Sequence, residues 1–93
     1  MIKQIKDLKS GDNLYILEGY ELSVQKISEV REFSPGFYKI NWGFDDMQII
    51  GEDCTSFSYC DKIVFLNKEN VVSWLSGIIN KIKETIEYVK KEN

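Results

Sequence analysis

The chain contains no histidine, and that one absence removes most nucleophilic chemistry. Ser-His-Asp and Cys-His systems need an imidazole to take the nucleophile's proton, so composition excludes both. Cys54 and Cys60 are the only thiols. Two sulfurs without an imidazole fall short of the four ligands of a structural zinc unless two chains share the ion. They read as ordinary thiols: spacing permits a disulfide, and a reducing compartment argues against one. Adjacent carboxylates at Asp45-Asp46 and Glu52-Asp53 are the remaining candidates for binding a divalent cation or for acid/base work. Both pairs fall in expected turns, where Asp and Glu serve conformation and solubility, and that plainer reading is preferred. The six glycines are dispersed and form no phosphate-cradling loop. The residue types therefore point to no catalytic group, no metal and no cofactor, and to a protein that is not an enzyme.

What remains is recognition. Phe33, Phe37, Tyr38, Trp42, Phe44, Phe57 and Tyr59 crowd the expected hairpins, and in a chain of 93 residues most of them must be core. Tyr38, Phe44 and Tyr59 are singled out as the exposed members, which with Asp45 and Asp46 make a candidate partner-binding surface. The charges are segregated. Met1–Ser10 and Lys62–Asn93 each carry +2, whereas Gly11–Asp61 holds ten acidic residues against Lys26, Arg31 and Lys39, a net of −7. An acidic middle is a poor seat for a phosphate backbone, which argues against direct nucleic-acid binding. It suits either a solubilising surface or attraction to a basic partner.

These groups need elements to hold them. A chain this short buries only about 60–65% of the surface its unfolded form exposes, so a single domain spanning residues 1–93 is expected. Gly11-Asp12-Asn13 turns into a first strand over Leu14–Glu18. After Gly19, Leu22 and Val24 alternate with Ser23 and Gln25 as a half-buried strand should. The parity then changes, because Ile27, Val30 and Phe33 are spaced by three. The β-branched content favours a long bulged strand across Leu22–Phe33, with a partly helical segment as the alternative. Ser34-Pro35-Gly36 makes a hairpin turn, since Pro pre-sets the first φ and Gly accepts a positive one. Tyr38, Ile40 and Trp42 follow on one face of a third strand, and Gly43–Asp46 turns into a fourth over Met47–Gly51. Glu52–Asp61 reads as a loop with room for a short strand near Phe57–Tyr59. Ile63–Leu66 is the last strand, apolar on both faces and so expected to be buried on both.

From Asn67, an N-cap residue followed by Glu69 in the first turn, apolar residues recur at helical spacing. Val71, Leu75, Ile78, Ile82, Ile86 and Val89 form the stripe, flanked by Val72 and Ile79. The expectation is a helix over 67–92 that packs on its own barrel (8–66) or on a second copy as a homodimer. Its length, about 30 Å from Lys68 to Val89, exceeds what the side of a small barrel covers. The longest apolar run, Ile63–Leu66, is too short to cross a membrane, and Met1–Lys6 alternates apolar with polar without a signal-like core, so a cytoplasmic protein is expected.

Two stretches carry a resemblance. Leu8-Lys9-Ser10-Gly11-Asp12-Asn13-Leu14-Tyr15 is similar to the opening of small SH3-like or Tudor/KOW-like barrels. Cys60-Asp61-Lys62-Ile63-Val64-Phe65-Leu66-Asn67-Lys68-Glu69-Asn70 resembles the end of a group of small uncharacterised proteins of bacteria and their phages. Together they cover about a fifth of the chain. They imply an SH3-like antiparallel barrel of about five strands with a C-terminal helix (class α+β), and they transfer no catalytic residue. The helix is longer and more apolar than such a terminus needs. The reading is a non-enzymatic protein-interaction module, phage-related or mobile-element encoded. Its alternative is a small acidic inhibitor that mimics nucleic-acid charge against a basic enzyme.

Overall fold

The computed structural model of the protein describes residues 2–92. Six antiparallel strands, β1 (Asn13–Glu18), β2 (Glu21–Ser34), β3 (Phe37–Trp42), β4 (Asp46–Gly51), β5 (Ser56–Tyr59) and β6 (Lys62–Phe65), form one sheet in the order β4-β3-β2-β1-β6-β5. The helix α1 (Lys68–Lys91) follows. The edge strands β4 and β5 approach where the Tyr59 hydroxyl donates to Asp46 Oδ1 at 3.0 Å, and the sheet is a nearly closed barrel.

Local chemistry accounts for the turns. Gly19 (φ 62) opens the two-residue β1–β2 turn, and Pro35-Gly36 (Gly36 φ 82) makes the β2–β3 turn with Ser34 opposite Phe37. The segment from Leu22 to Phe33 is a bulged strand. Residues 21–26 of β2 pair with β1, and 27–34 pair with β3, with register shifts between Ile27 and Glu29 and between Glu32 and Ser34. Ile27 is the handover point: its N–H donates to Asp12 O and its carbonyl accepts from Gly11 N–H, both at 2.8 Å, while it stands opposite Trp42. The bulge turns Val30 back to the interior despite its odd spacing.

Five strands were expected and six are present. The segment Ser56–Tyr59 is a full strand, joined to β6 by the two-residue turn Cys60-Asp61 with φ of 50° and 63°. Both residues occupy the left-handed region that Asn-Gly or Asp-Gly normally fills in such a hairpin, so the turn lacked its usual signature.

The barrel interior is built from Leu14, Ile16, Ile27, Ile40, Trp42, Ile50, Val64 and Leu66, with Ile5 and Leu8 closing one end. Ile5 lies on a 3-10 turn, Ile5–Asp7, so the core begins ahead of residue 8. A second cluster, Leu17, Phe65 and Val71, lies on the outer face of β1 and β6 with Tyr15, Ile63 and Leu75 against it. The last strand is thus apolar toward both sides, as expected, because Val64 points in and Phe65 points out.

The helix departs from expectation. Only its first two turns dock: Val71 is buried, Leu75 and Ile78 are half-buried, and Ile82, Ile86 and Val89 are exposed. The molecule measures 56 × 25 × 22 Å, long enough for the helix to overhang the barrel. A barrel whose strands run four to six residues beside the helix cannot cover 24 residues of it. Asn67 holds the N-cap position but does not cap. Its side chain instead grips Lys3, accepting from the backbone N–H at 2.9 Å and donating to the carbonyl at 2.8 Å, which pins the N-terminal segment to the start of the helix.

Two outcomes are expected in denaturant melts. Replacing Cys60-Asp61 with Asn-Gly puts residues that readily take left-handed backbone at both turn positions and should stabilise the fold by about 1 kcal/mol. Asn67→Ser keeps a good cap residue but cannot make both bonds to Lys3, and should cost about 1–3 kcal/mol. A neutral Asn67→Ser would show that capping, and not the grip on Lys3, is what the side chain supplies.

Candidate functional site

Consecutive antiparallel strands place the β1–β2, β3–β4 and β5–β6 turns at one end of the barrel, and a recess of about 370 Å³ opens among them. Its wall draws on all three hairpins: Ser23 and Gln25 from β2, Gly43, Phe44 and Asp46 around the β3–β4 turn, and Tyr59, Cys60 and Lys62 around the β5–β6 turn. Trp42 closes the floor, buried and packed edge-on to Tyr59 with ring centroids 5.0 Å apart and against Phe57 at 5.7 Å.

The polarity of β2 makes this recess. Ser23 and Gln25 pair with Ile16 and Leu14, so they share the interior face, and Leu22 and Val24 point outward beside Leu17 and Tyr15. The expectation that Leu22 and Val24 are the half-buried side of the strand is therefore inverted: they are 51% and 50% exposed. Hydroxyl and amide groups face the mouth, and two aliphatic side chains face solvent next to the helix. The period-two pattern identifies two faces but does not say which one turns in, and here the neighbours of β1 decide it.

Of the sequence-derived surface, Phe44, Asp46 and Tyr59 come together in the recess wall. Phe44 stands at the tip of its turn, 99% exposed. Asp45 is exposed beside it but is not part of the wall. Tyr38 is elsewhere: it lies near the far end of β3, opposite Glu32 and Ile50, half-buried against the core. Ser23, Gln25 and Lys62 were missed, because polar residues in an alternating strand read as the solvent side.

The Tyr59 phenol is held above its ordinary value of 10.0, first by its hydrogen bond to Asp46, then by burial and by the Asp46 charge. Tyr38 is raised too, by burial first and then by Glu32 and Glu52. Neither supplies a base at neutral pH. Lys62 reaches Glu18 at 3.8 Å across the rim. Cys54 and Cys60 are free thiols, one half-buried and one exposed. Among the described residues no group of three or more potential ligands could hold a metal ion, and no helix is long and apolar enough to cross a membrane. The recess offers hydroxyl, amide, carboxylate and amine groups to a hydrogen-bonding ligand.

A second feature, larger and apolar, is the helix stripe. Trp74 packs on Phe65 with centroids 6.3 Å apart and remains partly open, and beyond it Ile79, Ile82, Ile86 and Val89 stand uncovered. Compared with protein-family models, with curated proteins and with solved structures, the chain matches none.

The Tyr59–Asp46 bond makes one contribution to stability that varies with pH in the alkaline range. A raised folded value means that stability is complete below pH 10.0 and declines as pH climbs toward the folded value, because the unfolded state releases the proton first. Tyr59→Phe should lower the melting temperature by a few degrees at pH 7 and flatten the decline that the wild type shows above pH 10.0. An unchanged alkaline profile in the variant would remove Tyr59 as its source.

Proposed function

We propose that the protein is a non-enzymatic interaction module, an SH3-like barrel of phage or mobile-element origin that offers its projecting helix to a protein partner. One observation carries the reading: Ile82 and Ile86, each 48% exposed, continue a single stripe beyond the point where the barrel stops supporting it. Water-exposed branched aliphatics in a row are costly to keep unless something covers them. The affiliation rests on the resemblance of Leu8–Tyr15 and Cys60–Asn70 alone.

A second reading has its own support. Glu18, Glu21, Asp45, Asp46 and Asp61 all lie at or beside the three turns at the recess end of the barrel, half of the ten carboxylates of the acidic middle, and Asp46 lines the recess itself. An acidic inhibitor of a basic enzyme would present that end.

The two readings separate in one capture experiment with the purified protein as bait. The stripe reading expects Ile82→Glu/Ile86→Glu to lose what the wild type retains, at unchanged barrel stability and with little dependence on salt. Capture that survives this double variant, yet collapses steeply with ionic strength and with Asp45→Asn/Asp46→Asn, would sink the helix reading in favour of the acidic rim.

A further inference from the structure

We infer that the stripe is covered by a second copy of the chain, with the two helices antiparallel and the free end of each laid beside the other's barrel; this rests on the helix being the contact surface. Four observations lead there.

The first is the repeat. Ile78, Ile82, Thr85 and Val89 are spaced 4, 3 and 4 and continue the line of Val71 and Leu75, which dock on the chain's own barrel; this is the 3.5-residue period that keeps a seam facing a helix of the same pitch. Thr85 is the one polar member, and its hydroxyl donates to the Lys81 carbonyl of its own helix at 2.9 Å. That bond leaves the seam free of an unsatisfied donor.

The second is the area. Val72, Trp74, Ile79, Ile82, Ile86 and Val89 are each 46–63% exposed. Together they offer on the order of 600 Å² of apolar surface, already at the top of what a monomer shows in one patch. Leu22 and Val24 bring the total to about 800 Å², the share each partner buries in a standard interface.

The third is self-complementarity. One chain carries both an overhanging helix end with Ile86 and Val89 and an open aliphatic patch, Leu22 and Val24, beside the place where its own helix docks. A two-fold axis near Ile82 brings the helix end of each copy to the patch of the other, and both contacts form twice.

The fourth is charge, which selects the direction. Parallel helices would set two middles of −7 side by side. The antiparallel pair separates them by the length of the overhang, roughly 20 Å from Ile78 to Lys91, or about two Debye lengths at physiological salt. It also brings Lys81, Lys83, Lys90 and Lys91, against only Glu84, Glu87 and Glu92, toward the partner's acidic barrel.

Light scattering on the wild-type protein at about 100 μM should give twice 10.9 kDa. Ile82→Glu/Ile86→Glu should give 10.9 kDa with the barrel still folded by near-ultraviolet dichroism, and Leu22→Lys/Val24→Lys should weaken the dimer by about tenfold or more. In a Cys54→Ser/Cys60→Ser background, Ile82→Cys should oxidise to a linked dimer. Lys91→Cys should not, since its two copies would sit roughly 27 Å apart along the axis. A wild-type monomer at that concentration overturns the inference, and cross-linking at Lys91→Cys overturns its direction. A monomer whose stripe still captures a different protein would leave the interaction reading standing alone, whereas a monomer whose captures ignore the stripe would end both.

Discussion

Everything in this molecule is organised by two adjacent strands that are apolar on both sides. In β1, Leu14 and Ile16 enter the barrel while Tyr15 and Leu17 face outward; in β6, Val64 enters, as does Leu66 just past the strand's end, while Ile63 and Phe65 face outward. Tyr15 stands opposite Phe65, and Leu17 opposite Ile63, so the outward residues form one patch across two strands. The inner set closes the barrel core. The outer set gives Val71, Leu75 and Trp74 a surface to dock on, and it fixes where the helix begins and which of its faces turns toward the sheet. With polar residues at Leu17 and Phe65, the barrel could still close, but the helix would have no anchor.

The same constraint explains the inverted strand beside it. Because β1 commits Leu14 and Ile16 inward, register obliges Gln25 and Ser23 to face inward too, and Leu22 and Val24 outward. One strand therefore produces both features that distinguish the surface, a polar recess at the barrel mouth and an aliphatic patch beside the helix. The handover at Ile27 then restores ordinary polarity, with Ile27 and Val30 in the core. The bulge is what lets a strand carry a solvent-like inner face at one end and a core face at the other.

How much of this the residues declare depends on whether the signal is local. The Pro35-Gly36 turn, the alternation of Tyr38, Ile40 and Trp42, the change of parity after Gln25 and the apolar run Ile63–Phe65 are local, and the elements follow from them. The sixth strand was obscured because Cys60 and Asp61 adopt left-handed backbone that neither residue advertises. The inward face of β2 was not legible because it is decided by its partner across the ladder. Asn67 looked like a cap and binds Lys3, 64 positions away, a contact no local pattern encodes. At the candidate site, Phe44, Asp46 and Tyr59 were found by type, whereas Ser23, Gln25 and Lys62 depend on three hairpins meeting at one end.

The helix raises an energetic question that bears on its role. Nucleating a helix is unfavourable, and in proteins most helical stability comes from packing an apolar face. In α1 that support covers only the first two turns, through Val71 and Leu75. Beyond Ile78 the remaining help is modest: an exposed Lys90–Glu87 pair at 3.6 Å, and Lys90 and Lys91 in the last turn where positive charge favours the dipole. Against this stand β-branched Ile79, Ile82, Thr85, Ile86 and Val89, which are weaker helix formers than Leu, Met or Ala. A solvent-exposed spacer would gain from Ala, Glu and Lys at those positions. Branched aliphatics on one stripe make sense where side-chain packing supplies what propensity does not, so the composition of the free half of the helix fits a buried state better than the exposed one a single chain provides.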